Sequence, residues 1–333
     1  MKIDSYAHII PPNFKETLLN SPRLSPAMKR NLEPFPALFD LGVRFRIMDR
    51  HSDVVQVLTL AGASVDELAG GPKEAIELAR RVNDEMAELV FKYPDRFAAA
   101  TAVLPMSDID AALKELDRAV NELNLRGVLL RTPIGEKPVD RPEFMPLYER
   151  MCYHNLPIWF HPQSRADRPD YAGETESKYR IWHVWRIIYE STVAMTRLIF
   201  SGVLEKYPNL KIIIHHCGAM VPYFSERITL HYHIDEMRSK LDVRHGLTKP
   251  IISYFRSFYV DTAIVGNAPA LMCAYKFYGP DHLLFGTDVP FDPQLGDYST
   301  RHVIEAIEQM GIMDSDKKKI FEENARELMR LPV

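Results

Sequence analysis

Eight short runs rich in Val, Ile, Leu and Phe recur along this 333-residue chain, at residues 2–8, 53–60, 98–104, 127–131, 157–161, 210–216, 257–262 and 282–288. They lack clean polar alternation, the pattern of strands buried on both faces of a parallel sheet. Amphipathic helical patterns fill the intervals, as at 75–92, 109–124, 182–206 and 316–329, the second opened by Ser107 and Asp108 as candidate caps. Eight strand–helix units in this order predict an α/β chain folded as a single (β/α)8 TIM barrel over residues 1–333. A doubly wound sheet is the runner-up, but it does not need eight strands in this order.

Two stretches exceed the minimal barrel. Residues 11–47, with Pro11, Pro12, Pro22, Pro26, Pro34 and Pro36, follow the first strand, and residues 163–180, with Arg165, Arg168, Asp170, Tyr171 and Tyr179, follow the fifth. Long loops after barrel strands build the mouth of an active site as lids or substrate walls. The alternative is a surface decoration or a subunit contact. A net charge of −4 leaves no electrostatic footprint for nucleic acid or a membrane surface, and no apolar run reaches spanning length. Cys152, Cys217 and Cys273 are few, odd in number and far apart, which fits a reducing compartment better than a disulfide framework. The chain opens on Lys2-Ile3-Asp4 without the apolar core of a signal peptide. The expectation is a cytoplasmic protein with neither nucleic acid nor membrane as partner.

Polar groups stand where several apolar strands end: His8, His161, His216 and Asp288, the last in Leu284-Phe285-Gly286-Thr287-Asp288-Val289-Pro290. A barrel delivers such residues to one face from far apart in sequence. A catalytic divalent ion needs about three protein ligands and an open position, and neutral imidazole and carboxylate are its usual donors. His8, His161 and Asp288 have that placement, and His216 adds a titratable group beside them. His215 should point to the opposite side of its strand by the period-two rule, and pack or hydrogen-bond instead.

At these residues the chain resembles the amidohydrolase superfamily, in the mononuclear branch that contains aminocarboxymuconate semialdehyde decarboxylase and the aromatic-acid decarboxylases. The matching motifs are Ile3-Asp4-Ser5-Tyr6-Ala7-His8, Tyr93-Pro94-Asp95-Arg96-Phe97, Pro157-Ile158-Trp159-Phe160-His161-Pro162, His216-Cys217-Gly218-Ala219-Met220-Val221-Pro222 and the strand-eight segment. The resemblance spans nearly the whole chain. It implies that His8, His161 and Asp288 bind one divalent metal ion, zinc ahead of manganese, with Asp288 also handling a proton. It implies that His216 is the catalytic acid/base or polarising group. Arg46 and Arg227 align with basic positions that the family places near the substrate or across a subunit contact, and related barrels commonly pair as homodimers.

The chain departs from the family at Tyr6, where the pattern has His or Glu as a further ligand. Three readings are open: a weak or phenolate ligand, a hydrogen-bonding group for the substrate or a metal-bound water, or a site that has lost its metal. The fourth strand ends Leu129-Leu130-Arg131 with no Lys to bridge two ions, so one ion is expected. Arg131 either clamps a substrate carboxylate with its planar fork or pairs with a loop carboxylate. His154, His183, His231, His233 and His245 read as surface or packing residues. Trp182 and Trp185 read as core residues of their helix, with an aromatic pocket lining as the second choice. Asp4 reads as structural, Asp261 as facing the mouth or capping a helix, and Asp292 as loop chemistry.

The function expected is metal-dependent, non-oxidative decarboxylation of a small aromatic or unsaturated carboxylic acid. A hydrolase or hydratase that adds water to C=O or C=C uses the same residues and stands second. A metal-free or non-catalytic barrel stands third, motivated by Tyr6 alone.

Overall fold

The computed structural model describes residues 1–238 and 246–332; His245 lies outside them. Eight parallel strands form, β1 (Lys2–Ile9), β2 (Val54–Leu60), β3 (Phe97–Ala100), β4 (Val128–Thr132), β5 (Ile158–Pro162), β6 (Ile212–Ile214), β7 (Tyr259–Asp261) and β8 (Leu283–Leu284). Their ladders run β1-β2-β3 and β4-β5-β6-β7-β8. Two seams join the arcs. At one, the Ala102 amide donates to the Gly127 carbonyl (2.8 Å) and Leu129 donates back to Ala102 (2.9 Å). At the other, Ser5 donates to Phe285 (2.8 Å), Asp288 to Tyr6 (2.9 Å) and His8 to Val289 (2.8 Å). The sheet therefore closes on itself as a TIM barrel, which removes the exposed edges an open sheet would present.

The second seam positions the chemistry, and a fully buried carboxylate pins it. Asp4 accepts from the amides of Tyr6 and Thr287 (both 3.1 Å) and from the Thr287 hydroxyl (2.5 Å). Burial raises its carboxyl to about 7, against those donors and the charge of Arg44. Asp4 is thus the bolt between the ends of β1 and β8. A Cβ added at Gly286 would stand 2.9 Å from the Cβ of Asp261 and 3.2 Å from that of Tyr6. Only glycine lets the three strands approach so closely.

Around the barrel, α4 (Pro72–Lys92) buries Ala75, Leu78, Ala79, Val82, Met86 and Leu89, the helical spacing of its apolar face. Asp108 caps α5 (Ile109–Asn121) by accepting from the Ala111 amide at 3.0 Å. The stretch expected as one helix over 182–206 is three, α6 (Ile181–Val184), α7 (Arg186–Phe200) and α8 (Val203–Lys206). Gly202, at φ +77, breaks the last two apart. The excursion after β1 is not irregular loop, for it folds into α1 (Lys15–Leu19), α2 (Pro26–Leu32) and α3 (Leu41–Met48). Pro26 sits at the first turn of α2, where a missing N–H costs nothing, and Ser25 caps it by accepting from Met28. The sixth and eighth strands are shorter than their apolar runs, because the chain turns out of the ladder after Ile214 and after Leu284.

Candidate active site

His8, His161, His216 and Asp288 line one cavity of about 410 Å3 at the carboxyl ends of the strands, together with Tyr6 and Arg131. Met28 and Phe35 of the first excursion, Gln163 and Arg180 of the second, and Trp182 just beyond it contribute walls. His8 Nε2 lies 3.3 Å from His161 Nε2, 3.3 Å from Asp288 Oδ1 and 3.1 Å from the Tyr6 hydroxyl. The other nitrogen of each imidazole faces an acceptor. His161 Nδ1 donates to the Pro162 carbonyl (2.8 Å), and His8 Nδ1 meets the Thr59 hydroxyl (3.1 Å). Arg131 Nη1 also stands 3.2 Å from His161 Nδ1, but the carbonyl contact is the shorter, and with Nδ1 donating there His161 Nε2 carries a lone pair, as Thr59 permits of His8. Burial, followed for His161 by the charge of Arg131, holds both imidazoles below their ordinary pKa and hence neutral.

These donors suit a divalent ion. Two ligands of one tetrahedral ion with bonds of about 2.1 Å stand roughly 3.3 Å apart, the spacing found around His8 Nε2. Among the described residues no three His, Cys, Asp or Glu side chains already close into a cage. The donors meet pairwise, so a single ion would have to draw them together.

Asp288 keeps about a third of its side chain open to the cavity, and its Oδ2 lies 3.6 Å from His216 Nε2. That is long for a hydrogen bond, so charge attraction governs the pair. Burial pushes the Asp288 carboxyl up, but His216 and His8 outweigh it and hold it well below the usual range. His216 moves the opposite way, since Asp288 overcomes the burial that disfavours its charge. The proton between them therefore rests on His216. His216 (φ 58) and Cys217 (φ 58) follow β6 in left-handed conformation, and this turn swings the His216 ring to the cavity. Gly218 (φ +75) completes the turn, where an added Cβ would lie 2.4 Å from the Tyr278 hydroxyl.

His215 does not point away as the strand period required. Because β6 stops at Ile214, its ring lies in the cluster, stacked on Tyr6 with centroids 3.6 Å apart and 5.5 Å from His161. It is fully buried, and its Nδ1 is held at 2.8 Å by Asp261, also fully buried. Asp261 further accepts from the amides of Cys217 (3.1 Å) and Ala263 (2.9 Å). It therefore faces neither the mouth nor a helix terminus, but fixes the turn that carries His216. Tyr6 is sandwiched by this arrangement, and burial, with Asp288 and Asp261 nearby, drives its phenol well above its ordinary pKa. In the absence of an ion the Tyr6 hydroxyl therefore keeps its proton.

Arg131 donates to the Leu60 carbonyl at 3.2 Å, with its other terminal nitrogen 3.2 Å from His161 Nδ1 and the charge of Glu67 close by. Arg46 and Arg227 lie outside the cavity in this chain. Arg46 is exposed on α3, because a residue two positions from the buried Arg44 points to the opposite side of a helix. Arg44 instead supports the site from behind, donating from Nη1 to the His8 carbonyl (2.7 Å) and from Nε to Gln56 (2.9 Å). Arg227 is exposed on α9 (Val221–Arg238). His183 and Trp182, read as packing residues, line the cavity, whereas Trp185 is 63% exposed. The sequence reading missed Phe291, which packs edge-on against His8 (5.4 Å) and Phe35 (5.2 Å). Its only signal was its place three residues beyond Asp288.

The amidohydrolase family profile matches residues 3–331. A gamma-resorcylate decarboxylase of Rhizobium sp. (strain MTP-10005) is 32% identical over 299 residues, 86% of each chain. A 2-amino-3-carboxymuconate-6-semialdehyde decarboxylase of Dictyostelium discoideum is 27% identical over 99% of this chain and 92% of its own. Among solved structures, a dihydroxybenzoic acid decarboxylase of Polaromonas sp. JS666, with bound manganese and the inhibitor 2-nitroresorcinol, superimposes with a TM-score of 0.81 at 30% identity, covering 99% of this chain and 96% of that one. With the closed barrel and the strand-end histidines and aspartate already described, these likenesses identify the chain as a member of the amidohydrolase family.

Proposed function

We propose that this protein is a metal-dependent, non-oxidative decarboxylase of a small aromatic carboxylic acid. The observation that carries the reading is the meeting of two neutral imidazoles and one ionised carboxylate around His8 Nε2, in a cavity walled by Phe35, Phe291 and Trp182. The decarboxylase relatives at about 30% identity support the same chemistry. His8, His161 and Asp288 would hold one divalent ion. Manganese is the first ion to test, on the precedent of the Polaromonas protein, ahead of the zinc that the donor types alone suggest. Such an ion, when bound, supplies positive charge that fixes an acidic oxygen of the substrate and offsets negative charge developing in the reaction.

The chain's own residues do the rest. Phe291 and Phe35 hold the ring edge-on beside His8. The proton that rests on His216, across from Asp288, moves to the ring carbon bearing the carboxylate. The bond from that carbon to the carboxylate then breaks, its electron pair returns to the ring, and carbon dioxide leaves. The Tyr6 hydroxyl, neutral and against His8 Nε2, donates to a substrate oxygen. Hydration or hydrolysis would need a water beside Asp288, and no observation favours it over decarboxylation.

We further propose a single-domain homodimer. Tyr223, Leu230 and Met237 recur at seven-residue spacing on α9 and are 80%, 55% and 76% exposed, an apolar stripe suited to a second copy. Arg227 lies on the same side of the helix, where it would border the partner. Light scattering tests this, and a monomer mass at every concentration would refute it. Among the described residues no helix is long and apolar enough to cross a membrane, and a cytoplasmic location remains part of the proposal. The activity itself is tested by incubating the manganese-loaded protein with a panel of hydroxybenzoates and measuring carbon dioxide and decarboxylated product. Stoichiometric release of both supports the reading, and a hydrated or hydrolysed product overturns it.

A further inference from the structure

We infer that His215 is a further ligand of the metal ion, its Nε2 supplying the donor that the family carries at the position of Tyr6. The inference rests on the metal-dependent reading above and goes beyond the three ligands named there. His215 is fully buried, and among the described residues its Nε2 has no hydrogen-bond partner. A polar atom sealed from water and left unpaired costs about 1–3 kcal/mol. An apolar ring would stack on Tyr6 without that cost.

The imidazole is held in the manner of a metal-binding histidine. Nδ1 stands 2.8 Å from Asp261 Oδ2, and the amides of Cys217 and Ala263 fix that carboxylate in turn. Burial holds the ring below its ordinary pKa, so Nδ1 donates its proton to Asp261 and Nε2 carries the lone pair. A carboxylate behind an imidazole fixes the tautomer and raises the basicity of the nitrogen that faces the metal. The same contact sets the direction. Asp261 ends β7, which flanks β6 on one side, and Nε2 leaves the far edge of the ring, away from β7. The other flank of β6 is β5, which ends in His161. The His215 and His161 rings stand 5.5 Å apart at 64°, close to the 5.1 Å and 61° of His8 and His161, whose Nε2 atoms meet.

Tyr6 and His215 thus form one exchange. Tyr6 covers a face of the His215 ring and spends its hydroxyl on His8 Nε2, so the strand-one position offers a phenol where the family has His or Glu. The end of β6 offers an imidazole with a free lone pair beside the same histidines. An octahedral ion such as manganese takes four protein donors and keeps positions for substrate oxygens.

The test is pulsed electron paramagnetic resonance on the manganese-loaded protein, which counts the imidazole nitrogens coupled to the ion, together with the manganese Kd. The wild type should show three, from His8, His161 and His215, and His215→Gln should show two. The same substitution should raise Kd by about a hundredfold or more, the upper end of what loss of an orienting partner alone costs. Adding Tyr6→His to the His215→Gln protein returns a donor at the family position, and should restore the third nitrogen and much of the affinity. A wild-type count of two would overturn the inference, and this reading needs no variant to fold. So would a His215→Gln protein that keeps the wild-type count, whatever its Kd, since a packing role changes affinity without changing the ligands. A wild type that binds no manganese would refute the metal-dependent reading itself.

Discussion

His8 and His161 bring their Nε2 atoms within 3.3 Å of each other while the Nδ1 atom of each faces an acceptor. Two imidazoles so oriented aim lone pairs at one point, where each repels the other unless a cation or proton intervenes. Asp288, 3.3 Å from His8 Nε2, adds negative charge to the same point. This pairing is the basis on which a metal site is proposed, and it makes acid tolerance a measurable consequence. Because burial holds both imidazoles below their ordinary pKa, protons compete with the metal only at lower pH than at ordinary histidines. Manganese affinity should stay flat from pH 8 down to about 6.5, the ordinary histidine value, and fall below it. Titration with manganese at stepped pH checks this, and a steady loss across pH 8 to 6.5 would contradict it.

His216→Asn should lower turnover by at least about a hundredfold, the low end for acid–base groups, with metal content kept. The pH–rate profile carries the sign. Asp288 raises the His216 pKa, so the proton is present below that raised value and lost above it. Wild-type kcat should fall on the alkaline side of the ordinary histidine pKa, and the Asn variant should lose that arm. Equal loss of metal and activity would make His216 a ligand instead.

Tyr6→Phe should keep the metal and impair activity, because the neutral phenol donates without ligating. Tyr6→His returns the two-histidine pair usual in the family and should tighten metal binding. Metal content after dialysis and kcat for both variants decide the matter. Loss of metal in the Phe variant would make Tyr6 a ligand.

Asp261→Ala should destabilise the fold by about 1–3 kcal/mol, the cost of leaving a buried hydrogen-bonding group unsatisfied. It strands His215 Nδ1 and the Cys217 amide together. Chemical denaturation measures the loss. A change under about 1 kcal/mol would show that the pair does not fix the turn.

How much of this was legible in the sequence depended on periodicity. The barrel, and the delivery of His8, His161 and Asp288 to one face, follow from apolar runs that end in a polar residue. The same logic failed at His215, because an apolar run does not say where its ladder stops. β6 ends at Ile214 and the next residues turn through positive φ. Arg46 was singled out by the family resemblance, yet it is exposed on α3, and it is Arg44, on the opposite side of the helix, that supports the site. Arg30, Phe35, Trp182 and Phe291 reach the cavity from segments beyond the strand ends, and no strand period specifies where such side chains point.

The most direct measurement is carbon dioxide release from hydroxybenzoates before chelation, after chelation to undetectable metal, and after manganese is restored. The account predicts activity with about one ion per chain, its loss with the ion, its return on reloading, and neither metal nor activity in a His8→Ala, His161→Ala double variant. Undiminished activity in the metal-free protein would contradict it, and would leave Asp288 and His216 to carry the reaction alone.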